Sequence, residues 1–464
     1  MKERIAFSVV LFVFAASVTG SNTYYVSNGG SDANAGTNAF PFQTITHAYS
    51  LVSAGDSIIV KPGVYTDYTP WAGLLFNKNG TASQPITIRS QYKWQAIIDA
   101  GNVSDHTECM SISGNYHIIE GFDMQGAFEC GLWIKGTAKG NQVLNNTINH
   151  CGNIGDPTSS SGQAGLLSDE NTSDTQYYGN YIHHNGRLSI NSNLDHGMYL
   201  TGDNETIVNN IIAFNCAYGI HIAGYSTVSN MKVYNNVIAW NGRSGIMLWM
   251  AMDNIDIRNN IFYNNAELGL LCYDAHGTGV VIDYNLWYGN PQGTINMTWA
   301  GSDVSYTSGN NLIATYPYFV NDTCDYHLQP VSPAIDAGIP LSPVVADDLD
   351  GNVRPQGSGY DMGAYEYTVN TTGTGEEITG SSISVFPNPT NGKFNVQMSQ
   401  FENLKMKNIE IYSTYGEKVY QSHQLIANGS QPMTIDLSSQ PNGIYFLHVT
   451  TEQGNAVKKI MINK

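Results

Sequence analysis

Charged residues are scarce in this sequence, and basic residues are the scarcest. Only 12% of the 464 residues are charged, and 20 Lys and Arg stand against 38 Asp and Glu, which gives a formal net charge of -18. An acidic surface argues against a nucleic-acid or anionic-membrane partner, because phosphate-rich surfaces are bound through clustered cations. An anionic substrate would therefore need local basic residues or a bound metal.

Long apolar runs are also missing beyond the N-terminus. The one such run, residues 5–16, follows the basic residues Lys2 and Arg4 and is succeeded by small residues up to Ser21. It is short for a membrane span and has the length and flanks of a secretory signal. We expect residues 1–20 to be a signal peptide and the mature protein to be exported without a membrane span.

Cysteine is limited to six residues, and their spacing does not suggest a zinc site. Export favours disulfides. However, Cys130 and Cys272 fall at positions predicted to face the core, and Cys151 and Cys216 fall at equivalent places in two repeats. Disulfides and stacked core thiols therefore both stay open as interpretations.

Glycine and asparagine, by contrast, are plentiful, and Gly marks an internal repeat. Six similar segments begin with Gly at steps of 34, 32, 22, 26 and 24 residues. They start at Gly131, Gly165, Gly197, Gly219, Gly245 and Gly269. A repeat of this length, built from short stretches of β-forming residues, predicts a right-handed parallel β-helix. We expect the insertions at residues 152–163 and 187–193, which cause the two long steps, to be loops standing off the coil.

Alternation along the strand after each Gly assigns side chains to two faces. The first and third positions are nearly all apolar and should point inward, whereas the second and fourth, and the residue two before the Gly, should point outward. The predicted inward residues are Leu132, Leu166, Met198, Ile220, Ile246 and Leu270, then Ile134, Ser168, Leu200, Ile222, Leu248 and Cys272. Each repeat also carries an Asn that we expect to be structural, because its amide can bond from coil to coil. These are Asn146, Asn180, Asn210, Asn236, Asn260 and Asn285.

The segment before the repeats is typical of a capped solenoid end. Phe42, Ile45, Ala48 and Val52 recur at helical spacing, which predicts a short amphipathic helix. Such a helix covers apolar core that the open end would otherwise expose. Residues 22–65 resemble the opening of many secreted bacterial β-helix proteins, including several polysaccharide lyases. The fold as a whole resembles the pectate-lyase-like superfamily.

An Asp-rich stretch follows the repeats. Residues 319–367 contain SPAIDAG and DDLDGNVRPQGSGYDMGAYEY, and they resemble the terminal segment of many secreted β-helix proteins. Oxygen-rich loops suit calcium, which is the one cofactor that we consider. The candidate ligands are Asp347, Asp348, Asp350 and Asp361. A metal-free loop fixed by Asx turns is the alternative.

The C-terminal residues form a separate predicted β-sandwich. They contain VFPNP, YSTYG and PNGIYFL, and their strands alternate with Asn-Gly turns. These motifs resemble the type IX secretion sorting domain of Bacteroidetes, which implies the secretion machinery as a partner and a secreted or cell-surface location. A carbohydrate-binding sandwich is the alternative. The predicted organisation is all-β: signal peptide 1–20, β-helix 21–300, irregular terminal segment 301–367, linker 368–382 and sorting β-sandwich 383–464.

The predicted outer face mixes aromatic and charged side chains, which suits an extended polysaccharide. Aromatic faces stack on sugar rings, and charges orient polar ligands. The candidate substrate-binding residues are Trp133, Lys135, Asp169, Arg187, Trp249 and Tyr273. A solvated face without a ligand is the alternative.

The leading hypothesis for chemistry is lyase action on a uronate polymer, which needs a cation for the carboxylate, a base for the C5 proton and an acid at the leaving oxygen. Arg243, Arg187 or Lys135 could supply the cation, and Tyr199 the acid. For the base, His221 is geometrically favoured over His196, because alternation turns His196 inward unless the turn before Gly197 breaks it. The candidate catalytic residues are Asp195, His196, Tyr199, His221 and Arg243.

Two other functions stay open from the sequence. Glycoside hydrolysis needs two carboxylates that flank one bond, and Asp169 and Asp195 fall on adjacent coils. In that case the same outer face would cleave without forming an unsaturated sugar. The other is a non-catalytic cell-surface module that only binds carbohydrate or serves as structure.

Overall fold

A computed structural model describes residues 21–153, 162–187, 193–368, 383–398, 406–413, 418–422, 433–451 and 455–464. The predicted signal peptide, most of the two insertions and most of the linker lie outside these residues. The chain divides into two compact units, residues 1–368 and 369–464. Among the described residues, no helix has the length and apolarity needed to cross a membrane.

The first unit is built almost entirely of short strands. In chain order they are β1 Thr23–Val26, β2 Ser57–Val60, β3 Gly63–Tyr65, β4 Leu74–Phe76, β5 Ile86–Ser90, β6 Ala96–Asp99, β7 Glu108–Ile112, β8 His117–Glu120, β9 Asp123–Gln125, β10 Cys130–Ile134, β11 Gln142–Leu144, β12 Thr147–Asn149, β13 Ala164–Ser168, β14 Gln176–Tyr178, β15 Tyr181–His183, β16 His196–Leu200, β17 Thr206–Val208, β18 Ile211–Ala213, β19 Ile220–Ser229, β20 Lys232–Tyr234, β21 Val237–Ala239, β22 Ile246–Asp253, β23 Asp256–Arg258, β24 Ile261–Tyr263, β25 Leu268–Thr278, β26 Val280–Asp283, β27 Leu286–Tyr288, β28 Gly293–Trp299, β29 Tyr306–Gly309, β30 Leu312–Ile313, β31 Phe319–Asn321 and β32 Asp325–Leu328.

Three parallel sheets wind around one core. Within the described residues they contain 11, 9 and 10 strands, and successive coils contribute one strand to each sheet. The nine-stranded sheet runs β28-β25-β22-β19-β16-β13-β10-β7-β4, so all six repeat segments place their first strand there. The predicted β-helix is therefore confirmed, and the strand after each repeat Gly belongs to a single continuous sheet.

The predicted inward positions are confirmed. All twelve residues assigned inward by alternation have 0% exposure. Most belong to the main apolar cluster of the solenoid, which extends from Val26 to Val304. Because burying apolar surface is the main favourable term in folding, this column of side chains holds the coils in register.

The Asn residues form ladders, as predicted. The Nδ2 group of each donates to Oδ1 of its equivalent one coil later, from Asn146 through to Asn285, at 2.9–3.2 Å. A second ladder that the sequence analysis did not identify runs from Asn185 to Asn290. These amides are buried and fully engaged, so their role is structural.

One helix, α1 Ile45–Leu51, lies at the N-terminal end, where the sequence predicts it. The side chain of Thr44 caps it by accepting from the His47 backbone N–H at 3.1 Å. Ile45, Ala48 and Tyr49 are buried against the first coils. The helix therefore covers apolar core at this end of the solenoid.

The Asp-rich terminal segment packs on the outer side of the ten-stranded sheet. Its carboxylates mostly accept bonds from backbone N–H groups: Asp348 from Asp350 and Asn352, and Asp361 from Asp336 and Tyr367. No group of three or more His, Cys, Asp or Glu in the described part of the chain is arranged to hold a metal ion. Calcium binding by Asp347, Asp348, Asp350 and Asp361 and the metal-free loop fixed by Asx turns both stay predictions.

The second unit contains two antiparallel sheets around a core of its own. Its strands are β33 Ile383–Phe386, β34 Lys393–Met398, β35 Met406–Ser413, β36 Lys418–Ser422, β37 Met433–Asp436, β38 Gly443–Thr451 and β39 Asn455–Ile462. Apolar residues from both sheets, such as Phe394 and Leu447, share one cluster. The predicted β-sandwich is confirmed.

The six cysteines are all free thiols. Cys272 has 0% exposure and belongs to the main core, as predicted. Cys130 differs: it is buried but lies outside the main core cluster, at the position directly before Gly131. The reason is a break in strand alternation, which also decides the orientation of His196.

A carboxyl group lies inside the solenoid. Glu205 has 0% exposure and accepts from the hydroxyls of Tyr177 and Ser168, each at 3.1 Å. Ser168 is the one hydroxyl residue among the predicted inward positions, and Glu205 is its partner. Burial raises the pKa of Glu205 to about 8, so this carboxyl is protonated in the folded protein at neutral pH.

Glu205 makes stability depend on pH. Its folded pKa is raised above the unfolded value, so its stabilising contribution is full below about pH 4.5 and is lost as pH rises to about 8. We expect the free energy of unfolding of Glu205→Gln, relative to that of the parent, to rise by about 4 kcal/mol between pH 5 and pH 8. This corresponds to roughly 1.4 kcal/mol per pKa unit. Urea unfolding followed by tryptophan fluorescence at several pH values measures this difference. Glu170→Gln, at an exposed residue of the preceding coil, is the control, and a difference that does not change with pH would contradict the assignment.

Candidate functional site

The repeat Gly lets the backbone turn two consecutive positions toward the core. A Cβ at Gly197 would lie 2.6 Å from the carbonyl oxygen of Gly219 and 2.9 Å from Ile212, inside the solenoid. Met198, the next residue, also points inward with 0% exposure. Alternation therefore breaks at Gly197, and the residue before it faces outward. The inward orientation expected for His196 from strict alternation is wrong for this reason.

His196 and His221 form a contacting pair on the outer side of the nine-stranded sheet. His196 Nε2 lies 3.0 Å from His221 Nδ1. His221 is in register with Tyr199, whose ring centroid is 4.9 Å away. Two more aromatic rings lie close by. The ring centroid of Tyr218 is 5.4 Å from that of His196, and the ring centroid of Trp249 is 6.0 Å from that of His221. We call His196 and His221 the histidine pair.

The histidine pair is held neutral. The exposures of His196 and His221 are only 4% and 6%. Burial lowers the pKa of His196 to about 3, and burial together with the neighbouring His196 lowers the pKa of His221 well below its usual range. Because one ring must donate to the other, a neutral pair offers one free lone pair at one end and one N–H at the other. It can therefore accept a proton at one end and release one at the other.

Asp195 does not reach the surface. It has 0% exposure, and its carboxylate accepts from Nε and Nη2 of Arg187, each at 2.7 Å. The backbone N–H groups of Arg187 and Gln163 also donate to it. Arg187 has 1% exposure. Because both side chains are buried, neither Asp195 nor Arg187 can contact a substrate directly. Their ion pair instead fixes the backbone next to His196.

Three of the candidate substrate-binding residues lie on neighbouring coils toward the N-terminus. Asp169 accepts from Trp133 Nε1 and from the Gly136 N–H, both at 2.8 Å. Lys135 bonds Glu108 at 2.7 Å and lies 4.3 Å from the Trp133 ring centroid. These residues form one polar cluster, separate from the histidine pair. Since Asp169 is engaged here and Asp195 is buried, they do not form the two open carboxylates that hydrolysis needs.

The remaining candidates lie on coils toward the C-terminus. Arg243 Nη1 bonds Glu267 at 2.7 Å, and both side chains stay partly exposed. Trp249 is in register with Tyr273 on the next strand, and Tyr273 is 43% exposed. Both rings lie on the outer face, as alternation predicts.

Four buried polar atoms in the strands of the nine-stranded sheet or just before them have no hydrogen-bond partner among the described residues. They are Gln163 Oε1, His196 Nδ1, His221 Nε2 and Arg243 Nε, and they belong to four consecutive coils. A buried polar group without a partner is costly, so such atoms mark a place where a polar ligand completes the bonding. Gln163 and Tyr218 lie among these candidates, and neither was predicted from the sequence. The signal for Tyr218 was its position directly before a repeat Gly, which matches that of His196.

A depression lies elsewhere on the molecule. It has a volume of about 380 Å³ and lies on the outer side of the eleven-stranded sheet, where Tyr178, Thr206, Lys232 and Val344 contribute to its lining. None of its lining residues carries a buried polar atom without a partner in the described part of the chain. The outer face of the nine-stranded sheet therefore remains the stronger candidate site.

Three family models match the chain. Residues 24–186 match the model described as "Pel9A-like, right handed beta helix region". Residues 187–313 match "Right handed beta helix region", and residues 384–463 match "Secretion system C-terminal sorting domain". The first two matches meet between Gly186 and Arg187, and both members of the histidine pair lie in the second, general β-helix match.

Known proteins and structures agree with this fold. The chain is 26% identical to the uncharacterized protein YwoF of Bacillus subtilis over 357 residues, which are 68% of this chain and 73% of that protein. It is 26% identical to pectate lyase L of Dickeya chrysanthemi over 147 residues, which are 30% of this chain and 34% of that enzyme. The crystal structure of pectate lyase Pel9A is similar with a TM-score of 0.52 at 19% identity, covering 76% of this chain and 98% of that one.

The sorting domain indicates export, with a secreted or cell-surface location, and it implies the secretion machinery as a partner. The β-helix models and the solved structure agree on the fold of the first unit. The chain is thus a right-handed parallel β-helix protein that carries a C-terminal type IX secretion sorting domain.

Proposed function

We propose that this protein is a polysaccharide lyase that cleaves a uronate-containing polymer by β-elimination at the histidine pair. The observation that carries the proposal is the set of four buried, unpartnered polar atoms on consecutive coils, two of which belong to the histidine pair. They include a proton acceptor, a proton donor and a guanidinium N–H. Similarity to a pectate lyase over part of the chain supports the same class of reaction.

Each step of the elimination has a candidate group. Arg243 binds the uronate carboxylate, since a guanidinium N–H makes a strong charge-assisted bond to such a group. This neutralisation makes the C5 proton easier to remove. The free lone pair of the histidine pair takes that proton, the C5–H electrons form the C4=C5 double bond, and the C4–O bond breaks. The Tyr199 hydroxyl gives a proton to the leaving oxygen and is then reprotonated from solvent.

The low pKa of the pair fits a base that works on an anion. In the free protein the rings are neutral and ready to accept a proton. A uronate carboxylate that enters the site raises the pKa of a nearby imidazole, because opposite charge favours the protonated form. The base therefore gains strength only when substrate is bound.

The first test is product chemistry. We expect the purified protein to release unsaturated oligosaccharides, absorbing near ~235 nm through the new C4=C5 double bond, from a uronate polymer. His221→Ala should lower turnover about 10²- to 10⁴-fold, which is the usual contribution of a general base. His150→Ala, at an exposed histidine of the ten-stranded sheet, should leave turnover unchanged. Reducing ends without that absorbance would favour hydrolysis, and binding without turnover would favour a carbohydrate-binding module.

The pH profile provides a second test. Protonation of the histidine pair abolishes its lone pair, and burial moves that protonation to pH values well below the usual 6.5. We expect kcat/KM, which reports the free enzyme, to keep its value from pH 8 down to about pH 5. An acid limb centred near pH 6.5 would show that the base is a different, solvated histidine.

The ion pair beside the site can be tested separately. Arg187→Met leaves the Asp195 carboxylate buried and unpaired, which should lower the free energy of unfolding by about 3–5 kcal/mol and reduce activity. Arg258→Met is a matched control, because Arg258 bonds Asp256 at the same 2.7 Å but with both side chains 26% exposed. The control substitution should lower the free energy of unfolding by about 1 kcal/mol or less. Equal effects of the two substitutions would contradict a positioning role for the buried pair.

A further inference from the structure

Three aromatic side chains follow one another on consecutive strands of the nine-stranded sheet. Trp249 on β22 is in register with Tyr273 on β25, and Tyr273 is in register with Trp299 on β28. Tyr273 and Trp299 are 43% and 48% exposed. We call these three residues the aromatic row. Large exposed rings in a contiguous line are more than solubility requires, and they mark a binding surface.

The aromatic row begins at the histidine pair. The ring of Trp249 lies 6.0 Å from that of His221. Because neighbouring strands are about 4.8 Å apart, the row reaches roughly 10 Å beyond Trp249 along the solenoid axis. Met247 and Leu271 lie beside it and belong to a small apolar cluster on this same face. The surface is therefore continuous with the proposed site and has an apolar floor.

The charges around the row are mostly negative. The exposed end carries His276 between two carboxylates, Asp303 at 2.5 Å and Asp274 at 3.5 Å. Asp274 and Asp303 are 54% and 74% exposed, so they repel further anions from this end. Within the described residues from β19 to β28, Arg243 is the one Lys or Arg on this sheet or leading into its strands, and Glu267 already shares its charge.

This charge pattern limits what the row can bind. Each uronate of a polymer carries one carboxylate, and each needs a cation where it meets the protein. Arg243 supplies a cation whose charge acts on Tyr218, the ring that packs against His196, whereas the outer part of the row offers rings and carboxylates. Ring faces bind the apolar faces of sugars irrespective of charge, so the row suits uncharged sugars and disfavours uronates.

We infer that the aromatic row binds neutral sugar residues of the polymer whose uronate lies at the histidine pair, so that the substrate is a heteropolysaccharide combining uronate and neutral sugars. The inference rests on the proposed function, because it takes the uronate to be at that pair. It names the substrate class more closely: a homopolymer of uronates would place carboxylates along the acidic end of the row.

The test is affinity electrophoresis of the purified full chain in gels containing one polymer each. The probes are two heteropolymers (rhamnogalacturonan backbone and gellan), two homopolyuronates (polygalacturonate and alginate) and neutral galactan. We expect at least one heteropolymer to retard the protein about tenfold more strongly than either homopolyuronate. Tyr273→Ala and Trp299→Ala should each weaken that retardation about tenfold, corresponding to about 1.4 kcal/mol for the loss of one stacked ring.

Control variants separate stacking from loss of structure. Tyr273→Phe and Trp299→Phe retain a ring and should keep most of the affinity. Tyr306→Ala removes an equally exposed ring, at 46%, from β29 of the eleven-stranded sheet, and it should change nothing.

The outcomes distinguish the two proposals. Retardation by a heteropolymer that depends on Tyr273 and Trp299 but comes with no turnover would overturn the lyase and keep the row as a neutral-sugar surface. Three results would overturn the inference, whatever the protein cleaves. The Ala substitutions could leave the retardation unaffected, a homopolyuronate could retard the protein equally or more strongly, or none of the probes could retard it.

Discussion

The outer face depends on one close approach of the backbone at each repeat Gly. At Gly131, Gly165, Gly197, Gly219, Gly245 and Gly269 an added Cβ would lie 2.6–2.8 Å from a carbonyl oxygen of the next coil. Such a contact leaves no room for a side chain, so the strand can turn inward there and the preceding residue can turn outward. Without this break, His196 and Tyr218 would point into an apolar core, where an imidazole without partners would be costly. The scaffold and the site thus share a single steric requirement.

Burial shifts the pKa values of the acidic and basic groups of this protein in opposite directions. It keeps the Glu205 carboxyl protonated and the histidine pair unprotonated, since in both cases the uncharged form is favoured. Glu205 has hydroxyl partners inside the solenoid, whereas each ring of the pair keeps one nitrogen unsatisfied. That contrast is why we propose a structural role for Glu205 and a ligand-binding role for the histidine pair.

Most of the fold could be predicted from the sequence, because periodicity is a local property. The repeat Gly, the alternation after it and the recurring Asn are all visible in the printed chain, and they fix the strands, the core and the main ladder. The site was predicted less completely. Strict alternation does not reveal that two consecutive positions, Gly197 and Met198, both face the core. His196 was therefore assigned to the wrong face. Asp195 and Arg187 were taken as groups facing substrate, because a sequence does not reveal that two side chains eight residues apart close on each other. Trp299 lies in a strand whose register shifts, which hid it from the repeat alignment.

The ion pair between Arg187 and Asp195 has a consequence for how this surface can change over time. Arg187 is the first residue of an insertion, and Asp195 comes shortly after its last residue. The bidentate bond between them therefore joins the two ends of that segment. The cost of closing a loop grows only slowly with its length. Sequence between the two ends can therefore lengthen, shorten or diverge while His196 stays in place. Such an arrangement lets a lineage of these proteins acquire new specificities by exchanging one segment, and it offers a natural junction for grafting loops from one family member to another.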